Sequence, residues 1–227
     1  MKPLLLTVAA VAALGLTACG GDKAAAPLAL DQRVPSVADA PGSKPDPVET
    51  RVTAVGTEEF ITKLSDQLVN PTDKDRRDFE TMGFVKGIHD TRFFPSEPGA
   101  AHDRHDVHVF SLVLQFDSNN GATRATELLH TDGLRPCPET CATQVQEFDV
   151  DGIPDATGVR RFATAADIKA AGTDQDRPYD SYAIRFADGD FAYDVELFGP
   201  PGEVSEEQAE EIVGKLYDRV KGAPVKG

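Results

Sequence analysis

A chain of 227 residues with 38 Asp and Glu against 23 Lys and Arg carries a formal charge of -15 at neutral pH. That balance repels phosphate backbones and anionic headgroups and excludes nucleic acid as a natural partner. The length suits one domain plus a tether, and a hydrophobic content of 40% supports a real core, built without Trp and with only 2 Met, from Leu, Val, Ile and 12 Phe.

The first element is a leader. One cation, Lys2, precedes an apolar run from Pro3 to Gly15, the layout of a secretory signal and too short to span a bilayer. The run ends in Leu16-Thr17-Ala18-Cys19, which resembles the bacterial lipobox. The resemblance implies cleavage after Ala18, a diacylglyceryl thioether and further acylation (palmitate) on Cys19, and a lipid-anchored place on the extracytoplasmic face of the cell membrane. The alternative is an ordinary signal cleaved near Ala18 that leaves Cys19 as a free thiol. Of the 3 Cys, this leaves Cys137 and Cys141 as a pair in an oxidising compartment, where a disulfide is the expected state.

From Gly20 to about Thr50 the composition is rich in Ala, Pro, Asp and Gly without apolar periodicity, which reads as a solvated, flexible linker. Thr57 is a plausible N-cap, with Phe60, Ile61, Leu64 and Leu68 on one helical face and Asn70-Pro71 as the stop. A second helix is expected from Thr72 to Met82, ended by Gly83. Strands follow at Phe84 to Phe94 and at Val107 to Phe116. The second has apolar residues on both faces, the pattern of a central strand.

Ser118 caps a helix carrying Ala122, Ala125, Leu128 and Leu129 and closed by Gly133. Strands are expected near Val145 to Val150 and Val159 to Phe162, with a short helix from Ala165 to Ala171. Tyr182 to Phe198 reads as a hairpin with a type I′ turn at Asp188-Gly189, its acidic and small residues facing away from the core. Ser205 and Gln208 open a last amphipathic helix that packs on the sheet. The whole is an α+β domain with a mainly antiparallel sheet of about five to six strands and helices packed on one face. The expected division is 1–18 signal peptide, 19–50 lipidated Cys and linker, 51–222 single domain and 223–227 tail.

Gly-Phe-Val at 83–85, Gln-Phe-Asp-Ser at 115–118, Gly-Ile-Pro-Asp at 152–155 and Ala-Asp-Gly-Asp at 187–190 give the chain from 57 to 222 a resemblance to the uncharacterised secreted lipoproteins of high-GC Gram-positive (actinobacterial) bacteria. The resemblance implies a secreted α+β domain and brings no catalytic residues with it.

Metal-capable side chains crowd in one place, at His102, His105 and His108 with Asp103 and Asp106 between them. Imidazoles with carboxylates suit Zn or Cu. Spacing of three serves a helix face, however, and this stretch runs from Pro98-Gly99 into a strand, so the rings need not converge and no tight metal is expected. The acidic turns at 149–152 and 188–190 lack the continuation of a calcium loop, and Cys137-Pro138-Glu139-Thr140-Cys141 reads as a clip and not a redox pair. No nucleophile elbow, His-Glu-x-x-His, phosphate loop or dinucleotide fingerprint occurs. The expectation is a non-enzymatic binding or accessory module of the cell envelope that meets the membrane through its anchor and a small ligand or envelope protein through its domain, and needs no cofactor. The alternative is a metal-binding lipoprotein using the histidine loop. Convergent imidazoles would favour metal, and a deep apolar pocket would favour a ligand carrier.

Overall fold

Two strand units meet edge to edge to make one antiparallel sheet. The structure is a computed structural model and describes residues 27–48, 51–64, 73–97, 102–103, 106–135, 143–171 and 177–224. One unit is the long hairpin of β3 (Phe84–Phe94) and β4 (Val107–Phe116), whose outer edge pairs with the short strands β1 (Lys44–Pro45) and β2 (Val52–Val55). The other is the meander β5 (Gln144–Phe148), β6 (Thr157–Ala163), β7 (Tyr179–Asp188) and β8 (Phe191–Gly199). Pairing of β4 with β8 gives the order β1-β3-β4-β8-β7-β6-β5, with β2 also on β3 and 8 strands in all among the described residues. The sheet is therefore larger than the five to six strands expected.

Helices α1 (Gly56–Lys63), α2 (Asp73–Thr81), α3 (Asn119–Gly133), α4 (Ala165–Ala171) and α5 (Glu206–Val220) complete the domain. Ser118 accepts the Gly121 N–H at 3.3 Å and Ser205 accepts that of Gln208 at 3.3 Å, each satisfying one of the free donors of a first turn. None of the described helices is long and apolar enough to cross a membrane.

The expectation of helices on one face is corrected. Alternation along β4 sends Val109 and Val113 into a cluster with Ile184, Tyr193, Val195 and the α5 residues Ile212, Val213 and Leu216. It sends Leu112, Leu114 and Phe116 into a second cluster with Phe60, Phe79, Ala122, Ala125 and Leu129 from α1, α2 and α3. Helices thus cover both faces, because a strand apolar on both sides needs a layer on each. In the second cluster the Phe60 ring lies 4.5 Å from Phe79 and 4.9 Å from Phe84, contacts worth about 0.5–1.5 kcal/mol each beyond their buried area.

Residues 27–48, expected as linker, are instead a packed strap. Arg33 is fully buried, its guanidinium 3.8 Å over the Phe191 ring with Nη1 donating to Tyr193 Oη at 2.9 Å and Nη2 to the Ala223 carbonyl. Burial pushes the Tyr193 phenol up to about 12. Further along, Arg92 Nε of β3 donates to Ser43 Oγ at 2.8 Å. A Pro-rich segment without periodicity can still be ordered when buried ion pairs and hydrogen bonds hold it. The boundary expected at 51 therefore does not mark the start of the domain.

The hairpin turn is also shifted by one residue. Asp188 pairs with Phe191, so Gly189 and Asp190 are central, and only Gly189 has a positive φ, 55°. Type I′ needs positive φ at both positions, whereas glycine at the first fits type II′.

Candidate functional site

The polar residues of the β7–β8 hairpin, expected to face away from the core, lie under α3. The register sets Ser181 opposite Phe198, Ala183 opposite Glu196 and Arg185 opposite Asp194, so their side chains share one face. Ser181 and Ala183 are too small to fill the space beneath the helix. What remains is a cleft of 280 Å³ floored by these strands and Arg161 of β6, and roofed by Leu129, Asp132 and Gly133 at the end of α3.

Arg185 is the telling residue of this cleft. It is 6% exposed, its Nε lies 3.2 Å from Asp194 Oδ2, and its buried Nη1 finds no acceptor among the described residues. A Cβ at Gly133 would fall 2.6 Å from that Nη1, so a glycine at the helix end is what admits the guanidinium. The carbonyl end of α3 is also where a cation is favoured.

Glu196 retains some surface in the cleft while its carboxylate lies deep. Burial pushes its carboxyl above the usual range, the Asp194 charge adds to this, and a Ser181 hydrogen bond with the Arg185 and Arg161 charges works against it. The cleft thus gathers two guanidiniums and the carboxyls of Asp132 and Glu196 in one concavity, which makes it a candidate site. The signal in the sequence was an Arg and a Glu on adjacent core strands among small residues, which reads equally as a solvent face.

The histidine loop behaves differently from expectation. His102 and His108 converge on Asp46, which follows β1: His102 Nε2 lies 3.0 Å and His108 Nδ1 3.5 Å from Asp46 Oδ2. The ligand-capable atoms of the three all lie within 4.8 Å of one another. Asp46 was missed because it sits in the segment read as linker. His105, Cys19, Cys137 and Cys141 lie outside the described residues. Of the acidic turns, Asp188 is used structurally, both carboxylate oxygens accepting the Gly222 N–H at 3.1 and 3.2 Å.

A second cavity, of 410 Å³, is a groove between α5 and the strap, lined by Phe94, Val107, Leu197 and Ile212 with Glu203, Glu211 and Lys215. It is open and charged at its edge and is not the deep apolar pocket of a lipid carrier.

No family model matches the sequence, and no curated protein matches it. Among solved structures the chain is similar to the extracellular domain of PknH from Mycobacterium tuberculosis, with 12% identity, 85% of this chain and 98% of that one covered, and a TM-score of 0.47. It is also similar to a putative uncharacterized protein, the Rv0999 ortholog, from Mycobacterium smegmatis, with 9% identity, coverage of 82% and 97%, and a TM-score of 0.37.

Proposed function

We propose that this chain is an extracytoplasmic lipoprotein, anchored to the cell membrane through acyl groups on Cys19, that binds a small ligand bearing a carboxylate or phosphate in the cleft beneath α3. The observation that carries the reading is the buried Arg185 with an unsatisfied Nη1 at the cleft. A buried donor without an acceptor costs about 1–3 kcal/mol, and an oxyanion spanning Arg185 and Arg161 would recover it through charge-assisted hydrogen bonds. Glu196, when protonated, adds a donor from the floor.

The net charge of -15 selects against polyanions, and a small anion would be recognised by the two guanidiniums, Arg161 and Arg185, in a cleft that also holds Asp132 and Glu196. The reading is of a binder: among the described residues the lining of the cleft is two arginines, two acids, Ser181, Tyr179 and small or apolar side chains. Leu28, whose N–H donates to the Pro224 carbonyl at 3.0 Å, is nine peptide steps from Cys19, so the chain between them spans at most about 32 Å. The domain is held close to the bilayer as an accessory module of the envelope.

Calorimetric titration with succinate and with inorganic phosphate tests the ligand class. Saturable binding of one of them, weakened at least tenfold by Arg161→Gln and by Arg185→Lys with the fold intact by circular dichroism, is the expected result. Binding of neither anion, or binding indifferent to both substitutions, contradicts the reading.

A further inference from the structure

We propose that Asp46, His102 and His108 form a binding site for one divalent transition metal of the zinc class, which fastens the N-terminal strap to β4. The site lies apart from the cleft and does not depend on its ligand.

The geometry is that of a ligand set before any metal is considered. With metal–ligand bonds of about 2.0–2.1 Å, tetrahedral coordination places ligand atoms about 3.4 Å apart. The contacts of Asp46 Oδ2 with His102 Nε2 and His108 Nδ1, 3.0 and 3.5 Å, bracket that separation. Two imidazole nitrogens and one carboxylate oxygen suit zinc or copper and are poor for calcium or magnesium, which take oxygen shells.

Each ligand is held by its own surroundings, as metal ligands are. The second oxygen of Asp46, Oδ1, accepts the Val48 N–H at 2.7 Å, and its backbone N–H donates to the Thr91 carbonyl at 3.0 Å. The His102 ring stands edge-on to Phe93 at 5.0 Å, and the His108 ring stacks on Phe110 at 5.6 Å with 9° between planes. Next to His102, Asp103 N–H donates to Asp106 Oδ2 at 2.9 Å and Asp106 N–H to the Asp103 carbonyl at 2.9 Å.

Burial completes the case. The side chains of Asp46 and His108 are 1% and 6% exposed, while His102 at 14% is the most open of the three and marks the side from which an ion enters. Because Asp46 comes from the strap and both histidines from the chain leading into and along β4, a bound ion would cross-link segments far apart in sequence, and its binding energy would become folding energy.

The alternative is a metal-free cluster in which Asp46 only hydrogen-bonds the two imidazoles. Calorimetric titration of the full-length protein in detergent, stripped with EDTA and dialysed, separates the two. Zinc is expected to bind with one equivalent and sub-micromolar affinity, reduced at least tenfold by Asp46→Asn, His102→Ala or His108→Ala and unaffected by His130→Ala. Should the variants fold poorly, the unaltered protein decides: zinc at about a hundredfold over its Kd should raise the melting temperature by about 5 to 10 °C, reversed by EDTA. Absence of a one-equivalent site, no thermal shift, or tight binding that survives all three substitutions overturns the proposal.

Discussion

Arg219 Nη2 on the last helix lies 2.6 Å from Asp39 Oδ2 in the N-terminal strap, and its Nε lies 3.2 Å from Oδ1 of the same carboxylate. The same guanidinium donates to the Val34 carbonyl at 2.9 Å and to that of Gln32, so one side chain gathers the strap onto α5. Such a fork on a carboxylate is among the stronger ionic contacts.

Burial by itself would raise the Asp39 carboxyl pKa, but the Arg219 guanidinium and the Ser36 N–H and hydroxyl together take it below the usual carboxylate value. A depressed folded-state pKa contributes stability above the unfolded pKa of about 3.9 that disappears as pH falls through the folded value. Asp39→Asn should therefore cost about 1–3 kcal/mol at neutral pH and lower the melting temperature by several degrees. The cost should shrink in acid below about pH 3. Thermal unfolding of parent and variant across pH checks this, and a cost constant down to pH 2 would contradict it.

Glu196 has the opposite sign. Its raised carboxyl pKa means that ionising it disfavours the folded state once pH exceeds the unfolded value of about 4.3. Glu196→Gln should raise the melting temperature at pH 7, by about 2 to 4 °C for each kcal/mol relieved. Little or no gain should remain below about pH 4. A variant less stable than the parent at pH 7 would show that the carboxylate is satisfied as it stands.

The lipid anchor is tested by fractionation. Each buried methylene of an acyl chain contributes about 0.8 kcal/mol of membrane affinity, and Cys19 is the residue that would carry the chains. Cys19→Ala should release the protein or leave uncleaved precursor. Normal processing with unchanged membrane retention would remove Cys19 from the account.

Cys137 and Cys141 should be joined in the exported protein. The ring they close is about five residues, for which the chain-entropy model gives about 2 kcal/mol, and Pro136 and Pro138 stiffen the same stretch. Mass spectrometry after alkylation without reductant decides it: both thiols protected is the expected result, and free alkylation of both rules the bridge out. Replacing both with Ser should lower the melting temperature by several degrees without abolishing folding.

Legibility in the sequence followed what local pattern can carry. The strands at Phe84–Phe94 and Val107–Phe116 and the helix at Ala165–Ala171 have the borders read from the sequence, because alternation and Gly or Pro punctuation are local. Ser118 and Ser205 are caps for the same reason. The strap was illegible, since Arg33 and Asp39 are held by Tyr193, Ala223 and Arg219 at the far end of the chain. Helices on two faces were foreshadowed by the two apolar sides of β4, yet Arg185 and Glu196 on the neighbouring hairpin have the residue types of a solvent face. The histidine crowding named His102 and His108, but Asp46, which brings them together, belongs to a segment with no pattern to announce it.

The central claim, that the cleft beneath α3 takes a small oxyanion through Arg185 and Arg161, is tested most directly by nuclear magnetic resonance of the arginine side chains during titration with succinate and phosphate. The account predicts that the Nε–H signals of Arg161 and Arg185 and the amide of Gly133 move together and saturate with one ligand per chain, while those of the buried Arg33 and the strap-bound Arg219 stay in place. Saturable shifts confined to residues outside the cleft, or no saturable shift with either anion, would contradict it.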